Sequence, residues 1–235
     1  CTSVVALDLA AAPGAPLSAW ARFLSMTTPR YAHAAAVLRG LIYAAGGEDN
    51  NGNNLASVER FDGGAHSTWA LVASMGTARY YFALVALEEG GPSHHGGMLV
   101  AAGGVNAGAS AEAYDPVADQ WAFIAEMATA RVACAGAALH GKAYVSGGRG
   151  GPPNYNTLSS VEVFDPATGK WAAAPPMGTA RQNHAAAALV VGGTARIYVS
   201  GGMNSIGGGQ DVVAVIILAA ARDVDPRRAP DDEGG

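Results

Sequence analysis

One stretch of about fifty residues decides the fold of this chain, residues 128–177: ATARVACAGAALHGKAYVSGGRGGPPNYNTLSSVEVFDPATGKWAAAPPM. It contains apolar runs that lead to the glycine pair Gly147-Gly148, then the aromatic-Asp pair Phe164-Asp165, and finally Trp171 and Met177. Apolar runs of four to eight residues between clusters of Gly, Pro, Asn and Asp are typical of β-strands joined by hairpins. The stretch therefore predicts short antiparallel strands, the second of which ends at the glycine pair.

The same register recurs along the chain. The four tryptophans are separated by 49, 52 and 50 positions, and each is followed by Met after six positions and by Arg after ten. A glycine pair ends a hydrophobic run in every unit. The repeated residues are Trp20, Trp69, Trp121 and Trp171; Arg30, Arg79, Arg131 and Arg181; and Gly46, Gly47, Gly103, Gly104, Gly147, Gly148, Gly201 and Gly202. A period of this length predicts an array of small sheets, each of which needs its neighbours for stability.

The order of Arg, two strands ending in Gly-Gly, a strand with aromatic-Asp, and then Trp and Met resembles the kelch repeat. The segments SVERFD (57–62), SVEVFD (160–165) and MGTAR (177–181) resemble the kelch-like adaptor type most closely. The resemblance covers about residues 4–218. It implies an all-β fold, a kelch-type β-propeller of four-stranded antiparallel blades, in which radial packing protects the faces of the sheets.

The strand count predicts about four to five blades and an incomplete ring. The predicted units are the outer strands of a preceding blade at 1–26, kelch blades at 27–75, 76–127 and 128–177, a partial kelch blade at 178–218 and a disordered tail or linker at 219–235. The resemblance implies a closed ring with more blades than this chain contains, so we expect that the chain is a fragment of a longer protein. A truncated sequence and closure of four blades by an unusual route are the alternatives.

Composition excludes several classes of protein. Charged residues make up 14% of the chain and the net charge is −5, whereas nucleic-acid binding depends on basic side chains. The longest apolar runs are shorter than the roughly 20 residues of a membrane-spanning helix. The two cysteines, Cys1 and Cys134, form neither a disulfide framework nor a zinc motif. We therefore expect neither a nucleic-acid nor a membrane partner, and a cytoplasmic location.

The resemblance implies a binding site at one mouth of the propeller channel, where loops follow the glycine pairs and the repeat arginines. The predicted partner-binding residues are Tyr31, Tyr80, Tyr81, Arg149, Tyr155 and Asn183. Kelch-like adaptors often carry charged residues that bind acidic peptides at these positions, whereas this chain has tyrosines and amides. The repeat arginines, which recur in every unit, are expected to bond backbone carbonyls between blades, and the tryptophans and methionines to pack on the outer strands and between blades.

Enzyme motifs are absent from the sequence, and we predict no catalytic residue, cofactor or metal. The recurring Glu59, Glu112 and Glu162 are interpreted as structural residues of turns and ladders. One repeat position holds His33, Phe82, Cys134 and His184, and since phenylalanine substitutes for histidine there, packing is favoured over metal binding.

The predicted function is a protein-protein interaction module. The resemblance implies the substrate-recognition part of a cullin-RING ubiquitin ligase adaptor, which would contact a cullin through domains outside this chain. The alternatives are a propeller enzyme resembling galactose oxidase or a sialic acid mutarotase, and an actin or cytoskeletal scaffold.

Overall fold

The structure is a computed structural model that describes residues 4–6, 21–63, 68–88, 96–153, 155–191 and 194–204. Trp20, the predicted third strand of the partial blade and the predicted tail at 219–235 lie outside the described residues. Within them, no helix has the length and hydropathy needed to cross a bilayer.

The described residues form eighteen short strands and no helix. In chain order the strands are β1 (Val4–Ala6), β2 (Ala21–Phe23), β3 (Ala34–Leu38), β4 (Leu41–Ala45), β5 (Val58–Phe61), β6 (Ala70–Val72), β7 (Ala83–Leu87), β8 (Met98–Ala102), β9 (Ala111–Asp115), β10 (Gln120–Ile124), β11 (Arg131–Val132), β12 (Ala135–Leu139), β13 (Lys142–Ser146), β14 (Arg149–Gly150), β15 (Val161–Asp165), β16 (Lys170–Ala174), β17 (Ala185–Val191) and β18 (Thr194–Ser200).

Three sheets have four antiparallel strands each, in the orders β3-β4-β5-β6, β7-β8-β9-β10 and β12-β13-β15-β16. Each sheet lies inside one of the predicted fifty-residue units, although the exact unit boundaries remain predictions. The pairs β1–β2, β11–β14 and β17–β18 form two-stranded sheets. The predicted all-β class with four-stranded antiparallel blades is confirmed.

Local turn chemistry explains why successive strands pair. In the β3–β4 turn, Arg39 and Gly40 have φ of 52° and 75°, and in the β12–β13 turn, His140 and Gly141 have φ of 51° and 69°. Positive φ at both central residues is the signature of a type I′ turn, whose twist matches that of the flanking strands. In the β15–β16 turn, the carboxylate of Asp165 accepts the N–H of Ala167 at 2.9 Å.

The sheets stand side by side in an arc, and their innermost strands contact one another in the order β3, β7, β12, β17. The hydrophobic core lies between neighbouring sheets: Leu38 and Tyr43 of the first sheet pack with Leu99 and Tyr114 of the second. Val85 and Val100 of the second pack with Phe164 of the third sheet in the same way. Among the described strands no sheet closes on itself. The arrangement is an incomplete propeller.

The alanine and glycine content of the innermost strands has a structural reason where β7 and β12 approach each other. A Cβ atom built on Gly136 of β12 would lie 2.5 Å from a methyl group of Val85 and 3.1 Å from Cβ of Ala83. Such contacts are far closer than packed carbon atoms allow. At this point the narrow side chains are required by the close approach of adjacent blades.

The repeat tryptophans connect each sheet to the unit before it. Trp121 packs against Tyr114 with ring centroids 5.2 Å apart, and its Nε1 donates to the carbonyl of Ala73 at 3.0 Å. Trp171 donates to the carbonyl of Ala125 at 2.7 Å, and Trp69 to that of Leu24 at 3.0 Å. A buried indole usually finds such an acceptor, and here the bond joins consecutive blades.

Candidate functional site

A buried cluster of Arg, Glu and Ser repeats in the three four-stranded sheets. In the second sheet, Arg79 lies 2.6 Å from the Glu112 carboxylate and donates to the carbonyl of Gly103 at 2.9 Å and of Ser110 at 3.2 Å. The Arg30–Glu59 and Arg131–Glu162 pairs, at 3.0 and 2.9 Å, have the same arrangement. The guanidinium groups are fully buried. Each cluster ties the start of the first strand to the second and third strands of its own sheet.

This arrangement corrects one prediction and extends another. The arginine side chains bond carbonyls within one sheet, because the side chain points back across the strands of its own blade, rather than between blades. The glutamates lie in the ladders of the third strands, as interpreted, and are in addition the ion-pair partners of these arginines. The signal was in the sequence: Arg, Ser and Glu recur together in the same register, and a buried charge requires a partner.

Each glutamate also organises the chain that enters its sheet. Glu59 accepts the N–H of Thr27 at 2.7 Å and that of Thr28 at 3.1 Å. Glu112 accepts the N–H of Gly76 at 2.5 Å and that of Thr77 at 3.1 Å. Burial opposes ionisation of Glu59, but hydrogen bonds from Thr27, Arg30 and Thr28 outweigh it, and its pKa is lowered. The charged carboxylate therefore holds the segment that precedes each repeat arginine.

The glycine pairs allow the next unit to approach closely. The N–H of Gly104 donates to the carbonyl of Arg131 at 2.7 Å, and that of Gly148 to the carbonyl of Arg181 at 2.8 Å. Gly103 has φ of 72°, and a Cβ built on it would lie 2.6 Å from the Arg131 carbonyl oxygen. Only glycine combines this backbone conformation with this contact. The pairs thus position the residues that follow each arginine.

The residues two positions after the repeat arginines form a continuous line at one end of the innermost strands. These residues, here called the mouth ring, have φ between 50° and 56° and are Ala32, Tyr81, Ala133 and Asn183. The N–H of Tyr81 donates to the carbonyl of Ala32 at 3.0 Å, the N–H of Ala133 to that of Tyr81 at 2.7 Å, and the N–H of Asn183 to that of Ala133 at 2.9 Å. This backbone chain crosses four consecutive units at the end of the innermost strands where the resemblance places the channel mouth.

Five of the six predicted partner-binding residues lie on or beside the mouth ring, and the sixth, Tyr155, contacts Arg149. Tyr31, Tyr81 and Tyr155 are exposed by 47, 42 and 45%, Asn183 is exposed, and Tyr80 and Arg149 are half-buried. The rings of Tyr80 and Tyr81 are 5.4 Å apart, and the Arg149 guanidinium lies 5.4 Å from the ring centroid of Tyr155. The structure thus forms one group around Tyr80 and Tyr81 and another around Arg149. Their role in binding stays a prediction.

Sequence reasoning missed Glu48, which follows a glycine pair directly. Its backbone forms two hydrogen bonds with Tyr31, both 3.0 Å long. Interaction with the Glu48 carboxylate, followed by burial, raises the pKa of Tyr31. The available signal was the equivalence of Glu48 to Arg149, which stands one position after a glycine pair in its own unit.

The repeat position three after each arginine contains side chains with different surroundings. Cys134 is buried beside Ala83, Ala102 and Val145, and burial raises its pKa to about 11. His184 is also buried, and its Nε2 lies 2.9 Å from the hydroxyl of Ser146. Within the described residues, no group of three or more His, Cys, Asp or Glu side chains could hold a metal ion.

Lowering the pH below about 6.5 is expected to destabilise the fold through His184. Burial, followed by the charge of Arg181, lowers the pKa of His184 from 6.5 to about 4. Between these values the unfolded chain binds the proton and the folded chain does not. The contribution is present above pH 6.5 and is lost as the pH falls towards 4, at about 1.4 kcal/mol per pH unit at most. Urea unfolding at several pH values measures it.

His184→Gln, which can still bond Ser146, is expected to reduce this slope. His140→Asn is the matched control, because His140 lies in an exposed hairpin turn whose positive φ asparagine tolerates. Equal slopes for the wild type and His184→Gln would show that His184 is not the group responsible.

Comparisons with known proteins are consistent with this geometry. The family model described as Kelch motif matches residues 29–76 and 130–178. Kelch-like protein 36 from Rattus norvegicus is 35% identical over 149 residues, 59% of this chain and 23% of that protein. Kelch-like protein 33 from Homo sapiens is 36% identical over 143 residues, 58% of this chain and 25% of that protein.

Two further similarities extend over more of the chain. Alpha-scruin from Limulus polyphemus is 27% identical over 194 residues, 79% of this chain and 20% of that protein. A solved structure titled "Structure of YjhT" aligns with a TM-score of 0.56 over 68% of this chain and 56% of that chain, at 15% identity, which supports the fold alone. The chain spans about a quarter or less of the length of the curated relatives it matches.

Proposed function

We propose that this chain, a kelch-repeat protein, is a protein-interaction propeller that binds a protein or peptide partner at its channel mouth. The observation that carries the proposal is the hydrogen-bonded backbone of the mouth ring, on and beside which Tyr81 and Tyr31 are exposed. The ring is held by buried Arg–Glu pairs beneath it and by glycine pairs beside it. Rigid aromatic side chains supply contact area at a low entropic cost, which suits recognition of a protein surface.

We propose that this chain binds its partner and does not itself catalyse a reaction. The glutamates that recur in the sheets are engaged by arginines and backbone N–H groups, so these carboxylates are not free to act as an acid/base pair. Similarity to kelch-like proteins supports a finer proposal, substrate recognition for a cullin-RING ubiquitin ligase in the cytoplasm. Cullin binding would then belong to other domains. A scaffold role is the alternative, and it would use the same surface.

The double variant Tyr81→Ala/Arg149→Ala is expected to lose partner binding by about tenfold or more, since exposed Tyr and Arg side chains often dominate interface energetics. Tyr81 already carries a Cβ in its left-handed conformation, so alanine adds no backbone strain there. Quantitative affinity capture from cell extract, followed by titration of the captured protein, measures the loss.

Phe123→Ala is the matched control for this experiment. Phe123 is a 65% exposed aromatic side chain on the outer strand β10, away from the mouth ring. Its replacement is expected to leave the captured proteins unchanged. A partner that is retained by the double variant but lost from Phe123→Ala would move the binding surface to the outer strands and refute the mouth assignment.

A further inference from the structure

Three tyrosines and one carboxylate meet where the first two units join at the channel mouth. This group, here called the tyrosine patch, consists of Tyr31, Tyr80, Tyr81 and Glu48. The backbone bond from Tyr81 to Ala32 joins the two units, and the Tyr80 and Tyr81 rings are 5.4 Å apart. Tyr31 directly precedes Ala32, so Tyr31 lies on one side of this junction and Tyr80 and Tyr81 on the other. The patch thus combines several aromatic faces with a carboxylate.

The arginines beside this patch do not neutralise its carboxylate. Arg30 and Arg79 precede Tyr31 and Tyr80 in the chain, but both guanidinium groups are fully buried and paired with Glu59 and Glu112. Arg149, the cation predicted for the mouth, belongs to the third unit and lies over Tyr155. The charge of Glu48 is therefore available to a ligand at the exposed surface.

Asp49 extends the negative character of the patch. Hydrogen bonds from Asn53 lower the pKa of Asp49, so its carboxylate is charged at neutral pH. The backbone N–H of Asn53 donates to the Asp49 carboxylate at 2.9 Å, and this bond also stabilises the loop between the two residues. Asp49 adds a second negative charge next to Glu48 in the chain, and this favours a cationic over an acidic ligand.

We propose that the tyrosine patch binds an arginine or lysine side chain of the protein partner. The faces of tyrosine rings attract cations, and a carboxylate strengthens the attraction through charge-assisted hydrogen bonds. Two backbone hydrogen bonds, both 3.0 Å long, hold Glu48 beside Tyr31, and the oxygens of its carboxylate can accept hydrogen bonds from the incoming cation. The inference rests on the proposed function, and it names the chemistry of the partner at that same surface.

The test is selection of peptides from a displayed random dodecapeptide library on the wild-type chain and on Tyr31→Ala/Tyr81→Ala. Peptides recovered on the wild type alone depend on the mouth. We expect these peptides to share an arginine or lysine at one position. Their affinity is expected to fall about tenfold for Glu48→Gln, which removes the charge and keeps the size and shape of the side chain. Added salt should weaken wild-type binding.

Glu126→Gln is the matched control, because it removes one negative charge from an exposed position after the outer strand β10. It should leave the affinity unchanged. Replacing the cation of the peptide by norleucine should cost at least as much as Glu48→Gln, and the two changes together should cost little more than the norleucine replacement alone.

The outcomes separate the two proposals. Mouth-dependent peptides that lack a shared cation, or that bind Glu48→Gln as tightly as the wild type, would overturn the inference and leave the proposed function standing. Recovery of the same peptides on the wild type and on Tyr31→Ala/Tyr81→Ala would overturn both.

Discussion

Arg79→Met is expected to lower the free energy of unfolding by about 3–5 kcal/mol, the usual cost of leaving one member of a buried ion pair uncompensated. Methionine fills much of the same volume but cannot pair with Glu112, which stays buried. The carbonyls of Gly103 and Ser110 also lose the guanidinium that bonds them. Urea unfolding at neutral pH measures the change.

Arg181→Met is the matched control for this prediction. Arg181 occupies the same repeat position, but its guanidinium is partly exposed and donates to the carbonyl of Gly201 at 2.7 Å. We expect a loss of about 1 kcal/mol or less there, the typical value of one hydrogen bond. Equal losses for the two variants would contradict the view that the buried ion pair, rather than the arginine itself, stabilises each blade.

Gly103→Ala is expected to destabilise the fold by about 3 kcal/mol, from two causes that add. A positive φ costs a residue with a Cβ about 1–2 kcal/mol, and the new methyl group would lie 2.6 Å from the Arg131 carbonyl. Relief of that contact requires the second and third units to separate at the mouth, which strains the bond from Gly104 to Arg131. Thermal and urea unfolding measure the loss of stability.

Gly141→Ala separates the two causes. Gly141 has φ of 69°, nearly that of Gly103, but a Cβ built on it meets no atom within 4 Å. This variant therefore reports backbone strain alone, about 1–2 kcal/mol. If Gly103→Ala cost no more than Gly141→Ala, the close approach between units at the glycine pair would be of no energetic importance.

Much of the fold could be predicted because its determinants are local and repeated. The glycine pairs, the aromatic-Asp turns and the tryptophans mark strand ends in each unit, and the three four-stranded sheets follow that order. The kelch resemblance and the all-β propeller class are confirmed. The ion-pair partner of each arginine was missed. The strand pattern predicts on which face of the sheet a side chain lies, but its neighbours on that face depend on the register between strands.

The candidate site was predicted less completely. The sequence identified Tyr31, Tyr80 and Tyr81 by their position after the arginines, but Glu48 lies 17 positions beyond Tyr31. Its contact with Tyr31 arises because the chain returns to the mouth after two strands. The left-handed conformation of the mouth ring was also not predicted, because alanine, tyrosine and asparagine share no turn signature.

By itself the sequence determined the repeat and the strand order, since a fifty-residue pattern that recurs specifies one local structure each time. Only the tertiary structure decided how identical repeat positions differ. Arg79 is fully buried and Arg181 is partly exposed; His184 is buried and His33 is exposed. The reason is physical: burial and electrostatics depend on the neighbouring strands and blades that cover a residue, and those neighbours are distant in sequence.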